Sequence, residues 1–292
     1  MRLLQFNAPD PVLAMNLVLQ APHDLPADQI EHLARQAAAR AIEQTGRRTF
    51  RLRDAQPHAE IEPYCFEHHI DFGFVPRERR LSDFGLLVMD MDSTLITIEC
   101  IDEIAGMQGL KPQVAAITEA AMRGEIDFAE SLRRRVALLA GLEEGALQRV
   151  YDERLCLNPG AEQMLDTLRL QGIKTLLVSG GFLFFTERLK PRLGLDYTHA
   201  NTLEIIDGKL TGRVLGNVFD AQGKADWLVK IRDELGLGPE QVIAMGDGAN
   251  DLKMMALAGV SIAYHAKPVV RAQANYALNF VGLDGLVNLL GR

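Results

Sequence analysis

One stretch limits the folds open to this chain. Phe84-Gly85-Leu86-Leu87-Val88-Met89 is an apolar run that ends in Asp90-Met91-Asp92-Ser93-Thr94. Four to eight apolar residues in a row read as a strand buried on both faces, the habit of parallel sheets. In extended chain, positions i and i+2 point the same way, so Asp90 and Asp92 start out close together. Like charges that near repel, and each resists ionising unless a cation or a shared proton lies between them. Placing such a pair at the end of a core strand is costly. It marks a chemical site and not a solvated turn.

A length of 292 residues allows two domains. No apolar run approaches the roughly 18 residues that a membrane span needs, so no membrane partner is expected. The opening Met1-Arg2-Leu3-Leu4-Gln5-Phe6-Asn7 is too short and too soon broken for a signal peptide. A net charge of −8 argues against a nucleic-acid partner, whose binding rests on neutralising phosphates. It leaves a small anionic substrate open. Cys65, Cys100 and Cys156 form no C-x-x-C and predict reduced thiols in the cytoplasm. Cys65 with His68 and His69 is set aside as a metal cluster, because adjacent histidines on a strand face opposite ways.

Residues 1–80 hold ten arginines, no lysine and five of the seven histidines, unlike the rest of the chain. Asn16-Leu17-Val18-Leu19 is strand-like. An alanine-rich helix is expected from about Asp28 to Gln44, with Ile30, Leu33, Ala37 and Ala41 on one face. Thr49–Arg53 and Tyr64–Val75 look like further strands, and Pro76-Arg77-Glu78-Arg79-Arg80 suits a linker. No catalytic constellation occurs here. The segment reads as a small α/β accessory domain, ACT-like, regulatory or dimer-forming.

From Ser82 strands and helices alternate. Four helical stretches occupy about Cys100 to Leu155. Strands are then expected at Ile173–Val178, Thr202–Ile206, Val242–Met245, Val260–Ala263 and Tyr276–Phe280. Such alternation implies a parallel sheet with helices on both faces, and ligands bind beyond the carboxyl ends of its strands. The helical block would cover that edge as a cap over 99–155, inserted into a core of 81–98 and 156–292. Ile205-Ile206-Asp207-Gly208-Lys209-Leu210 contains an Asp-Gly hairpin turn.

Three further clusters join the Asp90 pair. Ser179-Gly180-Gly181 follows the Thr175–Val178 strand and offers a hydroxyl and glycine amides, the makings of an oxyanion cradle. It also suits a plain serine helix cap. Gly223-Lys224-Ala225-Asp226 opens a helix, where a lysine gains nothing from the helix dipole and so points to negative charge elsewhere. Gly246-Asp247-Gly248-Ala249-Asn250-Asp251 brings two more acids and an amide to a fourth strand end. A Walker loop is excluded by Val218 and Ala225, an EF-hand by Leu95 and Ile101, and a G-x-S-x-G elbow by Leu177.

Asp90, Asp92 and Asp247 with oxygen-only ligation fit Mg²⁺, with Asp92 contributing its backbone carbonyl and Asp251 standing one layer further out. Phosphoryl transfer demands positioning and neutralisation of the equatorial oxygens, which Mg²⁺, Lys224, Ser179 and the glycine amides would supply. Asp90 would be the nucleophile and form an aspartyl phosphate, while Asp92 would act as general acid and then base. In the helix from about Phe128, residues Leu132, Arg135 and Leu139 follow at i+4, i+7 and i+11, so Arg135 lies mid-stripe while Arg133 and Arg134 turn away. A guanidinium facing the core suits planar carboxylate recognition, or a structural ion pair. Glu99 would pair with an ammonium or simply favour the start of the first cap helix.

Asp90-Met91-Asp92-Ser93-Thr94, Ser179, Lys224 and Gly246–Asp251 together resemble the four-motif set of the haloacid dehalogenase-like phosphatases. Asp92–Leu95, Glu99, Ile101–Ala105, Ser131–Arg133, Val178–Phe182 and Asn201 are similar to the branch of that family acting on O-phosphoserine. The likeness spans about residues 85 to 275 and leaves the N-terminal segment outside. It implies a Rossmann-like α/β core with a helical cap. It implies Mg²⁺-dependent hydrolysis of O-phospho-L-serine, the last step of serine biosynthesis. It also implies that Glu99 and Arg135 read the amine and carboxylate, while Asn250 and Gly180 help bind the phosphate end. A phosphotransferase using the same aspartyl phosphate, for instance toward homoserine, and a non-catalytic amino-acid sensor are the alternatives.

Overall fold

The computed structural model describes residues 14–291, so the opening segment Met1–Asn7 read above lies outside the described residues. Two compact units emerge. One holds the described residues up to Arg80 together with those from Asn288 on, and the other is Leu81–Val287.

The first unit runs β1 (Met15–Gln20), α1 (Ala27–Gln36), β2 (Ala41–Gly46), β3 (Thr49–Ala55), α2 (Ile61–Glu67) and β4 (Asp71–Pro76). Its sheet order β2-β3-β1-β4, antiparallel throughout, is the βαββαβ arrangement of ferredoxin-like modules. Leu17, Leu19 and Leu52 bury their side chains against Ile30, Leu33 and Ala37.

Two expectations fail here for local reasons. The helix expected over Asp28–Gln44 stops at Gln36. Ala37 is its last core residue, and Ala38 then takes φ 48 and reverses the chain. Ala41–Gly46 instead fills the free edge of β3, where Glu43 pairs with Arg53. Tyr64–Val75 is likewise not all strand. Ile61 and Cys65, one turn apart, are buried on a helix, and only Asp71–Pro76 is extended. His68 and His69 therefore follow a helix. His68 stacks on Tyr64 with ring centroids 4.0 Å apart, and burial pushes the Cys65 thiol up to about 12. Among the described residues no metal cluster forms there.

In the second unit β5 (Leu86–Asp90) leads into α3 (Cys100–Gly106), α4 (Lys111–Met122), α5 (Phe128–Ala137) and α6 (Gly145–Glu153). Then come α7 (Ala161–Leu170), β6 (Lys174–Phe182), α8 (Leu183–Leu193), β7 (Tyr197–Ile206) and β8 (Lys209–Leu215). The remainder is α9 (Ala221–Glu234), β9 (Val242–Gly246), α10 (Leu252–Met255), β10 (Val260–Tyr264), α11 (Pro268–Arg271), β11 (Tyr276–Leu278) and α12 (Gly285–Leu290). The core was expected to reach residue 292. From Asn288, however, the chain belongs to the first unit, where the buried Arg51 donates to the carbonyls of Leu289 (3.2 Å) and Gly291 (2.8 Å).

The sheet order is β11-β10-β9-β5-β6-β7-β8, parallel except for the β7–β8 hairpin. At the hairpin tip Asp207 (φ 49) and Gly208 (φ 74) both take the positive φ of a type I′ turn. Leu86, Leu87, Val88 and Met89 are fully buried, each burial contributing about 1.5–3 kcal/mol. The chain leaves β5 toward β6 and returns on the other side as β9. The crevice at the carboxyl ends of β5, β6 and β9 is therefore a topological switch point. The four helices α3–α6 stand between β5 and β6 in sequence, and α5 packs on β8. Three backbone hydrogen bonds tie the loop after α5 to the hairpin: Gly141 N–H to Leu210 O, Leu210 N–H to Leu142 O and Glu144 N–H to Gly208 O, each 2.8 Å. No helix among the described residues is long and apolar enough to cross a membrane.

Candidate active site

Register brings the acids together. Asp90 lies opposite Val178 on β6, and Met89 opposite Met245 on β9. Ser179 and Gly246-Asp247 therefore emerge from the sheet beside Asp90. Past Asp90 the backbone breaks at Ser93, whose φ of 59 is the left-handed region that few non-glycine residues adopt. Such strain persists only where the surroundings hold it. Here Asn158 does so, its amide donating to the carbonyls of Thr94 (2.8 Å) and Ile96 (3.2 Å). Nothing in the local sequence singles out Asn158, which is more than sixty residues away.

Lys224 occupies the first turn of α9, capped by Asp220, which accepts from the N–H groups of Gln222 and Gly223. Its side chain is fully buried. Nζ lies 2.7 Å from Asp90 Oδ1 and 2.8 Å from Asp251 Oδ1. Burial works against its charge, but the Asp251 and Asp90 carboxylates outweigh that and hold the ammonium above the ordinary lysine value. Burial and the Asp251 charge push Asp90 up, opposed by Lys224. Oδ1 of Asp90 also accepts from the Met91 N–H at 2.8 Å, and its Oδ2 has no donor among the described residues.

Oxygens of Asp90, Asp247 and Asp251 converge within 4.8 Å of one another. One lysine between two buried carboxylates, with a third alongside, leaves excess negative charge. With no histidine or cysteine in the group, that donor set suits a hard divalent cation. One expectation is adjusted. Asp251, expected one layer out, brings its carboxylate into the trio, with its Oδ2 accepting from Gly248 N–H at 3.1 Å. Gly246 is obligatory there, since a Cβ would lie 2.3 Å from that carboxylate. The Asp92 carboxylate stands outside the trio.

Asp92 instead accepts from the Cys100 N–H at the start of α3 (3.1 Å) and from the Ser179 hydroxyl (3.4 Å). Ser179 Oγ in turn accepts from the Gly181 N–H at 2.9 Å. Burial first, then the Glu99 charge, raises Asp92 to about 7. Asp247 is raised to about 6 by burial and the charges of Asp251 and Glu99, while the Thr94 hydroxyl donates to it at 3.2 Å. Asn201 clamps the neighbouring strand end, its amide donating to the Gly180 carbonyl at 2.9 Å.

Above these groups is a cavity of about 480 Å³. Asp90, Asp92, Gly180, Asp247, Asn250 and Lys267 line it from the core, and Glu99, Asp102, Met122, Phe128 and Arg135 from the helical block. Ser179, Lys224 and Asp251 sit buried beneath its floor. On α5, Arg133 and Arg134 are exposed while Arg135 faces the cavity. Burial pulls the Arg135 guanidinium down, opposed by Asp102, Glu99 and Asp92. Glu99 accepts from the Ser93 hydroxyl at 2.7 Å. Every expected site residue is thus at or directly beneath one cavity. Asp102 and Lys267, given no role from sequence, are there as well.

Residues 84–259 match the haloacid dehalogenase-like hydrolase model, and residues 17–61 match a domain of unknown function. A phosphoserine phosphatase of Polaromonas sp. is 56% identical over 216 residues, 72% of this chain and 92% of that protein. A HAD family hydrolase from Salmonella enterica superposes with a TM-score of 0.85 at 32% identity, covering 94% of this chain and 98% of that one. A phospho-aspartyl intermediate analogue of phosphoserine phosphatase superposes with a TM-score of 0.66 at 39% identity, over 70% of this chain and 97% of that one. The chain belongs to the haloacid dehalogenase-like hydrolases, within their phosphoserine phosphatase family.

Proposed function

We propose that this enzyme hydrolyses O-phospho-L-serine to L-serine and phosphate through a phosphorylated Asp90, with Mg²⁺ at the carboxylate trio. The observation that carries the reading is Lys224 Nζ at 2.7 Å from Asp90, beneath a cavity whose other wall presents Glu99 and Arg135. Asp90, Asp247 and Asp251 would hold the cation with the Asp92 carbonyl, and Asp251 would steady Lys224 as well. When bound, that ion neutralises phosphoryl oxygens.

The chain's own groups do the rest. Lys224 and the Met91 N–H pin Oδ1 of Asp90, leaving Oδ2 to attack phosphorus as the ester P–O bond breaks. Asp92, mostly protonated below about pH 7, gives its proton to the departing serine oxygen. As a carboxylate it then takes a proton from water, whose oxygen attacks phosphorus and releases Asp90 and inorganic phosphate. Ser179, Gly180 and Asn250 would receive the phosphoryl oxygens. Glu99 would meet the ammonium and Arg135 the carboxylate, where a buried guanidinium favours a planar anion.

The sign of the pH dependence follows. The first step needs protonated Asp92, and that fraction falls as pH rises through about 7. The value of kcat/KM should therefore decline on the alkaline side with a midpoint near 7, and Asp92→Asn should remove that limb together with most of the activity. A profile flat from pH 6 to 9 in the parent enzyme would contradict the role given to Asp92.

The first unit supports assembly or regulation in place of chemistry. Among the described residues its edge strand β2 pairs only with β3, which leaves room for homodimer formation. Cys65, Cys100 and Cys156 are all free thiols, which supports the cytoplasm as the compartment.

Phosphate release from a panel of phosphorylated metabolites, with Mg²⁺ and with chelator, tests the assignment. Phosphoserine should be preferred and chelator should abolish release. Arg135→Ala should lower kcat/KM for phosphoserine by about 10²-fold, the scale of a lost charge-assisted pair. It should barely alter a phosphomonoester without a carboxylate. Equal losses on both substrates would remove the amino-acid head from the reading.

A further inference from the structure

Lys267 occupies the loop between β10 and α11. Its φ of −61 and ψ of 150 are the extended geometry that the following Pro268 imposes. Its N–H donates to the Asp247 carbonyl at 3.2 Å. The root of this side chain is thus fixed twice, next to the acidic loop. The side chain is exposed, lines the cavity, and has no ion pair among the described residues.

The charge around it poses a problem for any phosphate ester. Five carboxylates line the cavity against two cations, Arg135 and Lys267, and a divalent cation at the trio would offset two of those charges without giving the lining a positive excess. Lys224 lies below the floor, paired with Asp90 and Asp251, so it meets the phosphoryl group only once that group is seated against Asp90 and does not act at the mouth. A phosphomonoester arrives with nearly two negative charges at neutral pH, and a lining with no positive excess leaves its capture to the cations placed at the mouth. Arg135, on the cap wall, is the group suited to a carboxylate. On the core wall, beside Asp247 and Asn250, the one cation among the lining residues is Lys267.

We infer that Lys267 is a phosphate-capturing residue at the core-side mouth of the cavity: it draws the dianionic group in and retains inorganic phosphate before release. This rests on the phosphatase reading above and gives its substrate an entry point. A lysine that merely solvates the surface would do neither.

The test uses the full chain with Lys267→Met and Lys267→Arg. For phosphoserine, kcat and KM are measured from about 20 to about 300 mM salt, and inorganic phosphate is titrated as a product inhibitor. Lys267→Met should raise both KM and the phosphate inhibition constant by about five- to tenfold at low salt. The gap should shrink to about twofold at high salt, where charges are screened within a few ångströms. The loss on kcat should stay under about twofold, and Lys267→Arg should restore parent behaviour. Parent-like KM and phosphate inhibition at every salt concentration would overturn the inference. So would a loss that falls on kcat and ignores salt. If the parent did not hydrolyse phosphoserine, the functional reading would fail instead, and calorimetric binding of inorganic phosphate to parent and Lys267→Met would still decide the role of the lysine.

Discussion

Asp90→Asn is expected to abolish turnover, by about 10⁴-fold or more, while the protein still folds and still binds phosphoserine. The amide keeps the volume and the Met91 N–H contact of the carboxylate, but it is a poor nucleophile and carries no charge for Lys224 to hold. Loss of an attacking group costs far more than loss of a binding contact, because the covalent route closes altogether. Single-turnover mixing followed by acid quench would detect protein-bound phosphate in the parent and none in the variant. Appreciable residual turnover with label on another residue would remove Asp90 from its role.

Lys224→Met should do two separable things. It strips the counter-charge from two buried carboxylates, and breaking a buried pair from one side costs about 3–5 kcal/mol. For a unit of about 200 residues that lowers Tm by roughly 10 °C. The penalty should be larger at pH 8 than at pH 5. Without the ammonium, burial leaves Asp90 binding its proton more tightly folded than unfolded, so stability falls as pH rises. Adding Asp251→Asn should recover much of the Tm but none of the activity, since the phosphoryl group would still lack its cation. A double variant no more stable than Lys224→Met would show that the lysine is not held there by charge.

Much of this was legible because the chemistry sits where chain pattern is simplest. A strand buried on both faces has no polar reason to end in Asp90 and Asp92, and a lysine at a helix start has no dipole reason to be there. Parallel topology then obliges all the strand ends to share one edge. What was illegible depends on partners far along the chain. Asp251 was placed one layer outside the metal ligands, because its packing against Lys224 and Gly246 is not visible along the chain. Asn158, Asp102 and Lys267 carry no local signal. In the first unit, a run rich in alanine favoured helix by propensity, but the open edge of β3 and the turn at Ala38 won. The strand geometry used to set His68 and His69 aside as ligands was wrong, because a helix and not a strand precedes them.

The three backbone bonds between residues 141–144 and the β7–β8 tip also bear on traffic through the site. They are one of several fastenings of the helical block, for the Cys100 N–H also holds Asp92 at 3.1 Å and Arg188 on α8 donates to Gln148 on α6 at 3.0 Å. A substitution at Gly208 or Leu210 would slacken one of these attachments and so reach the cavity wall formed by Met122 and Phe128, while leaving every reacting atom in place.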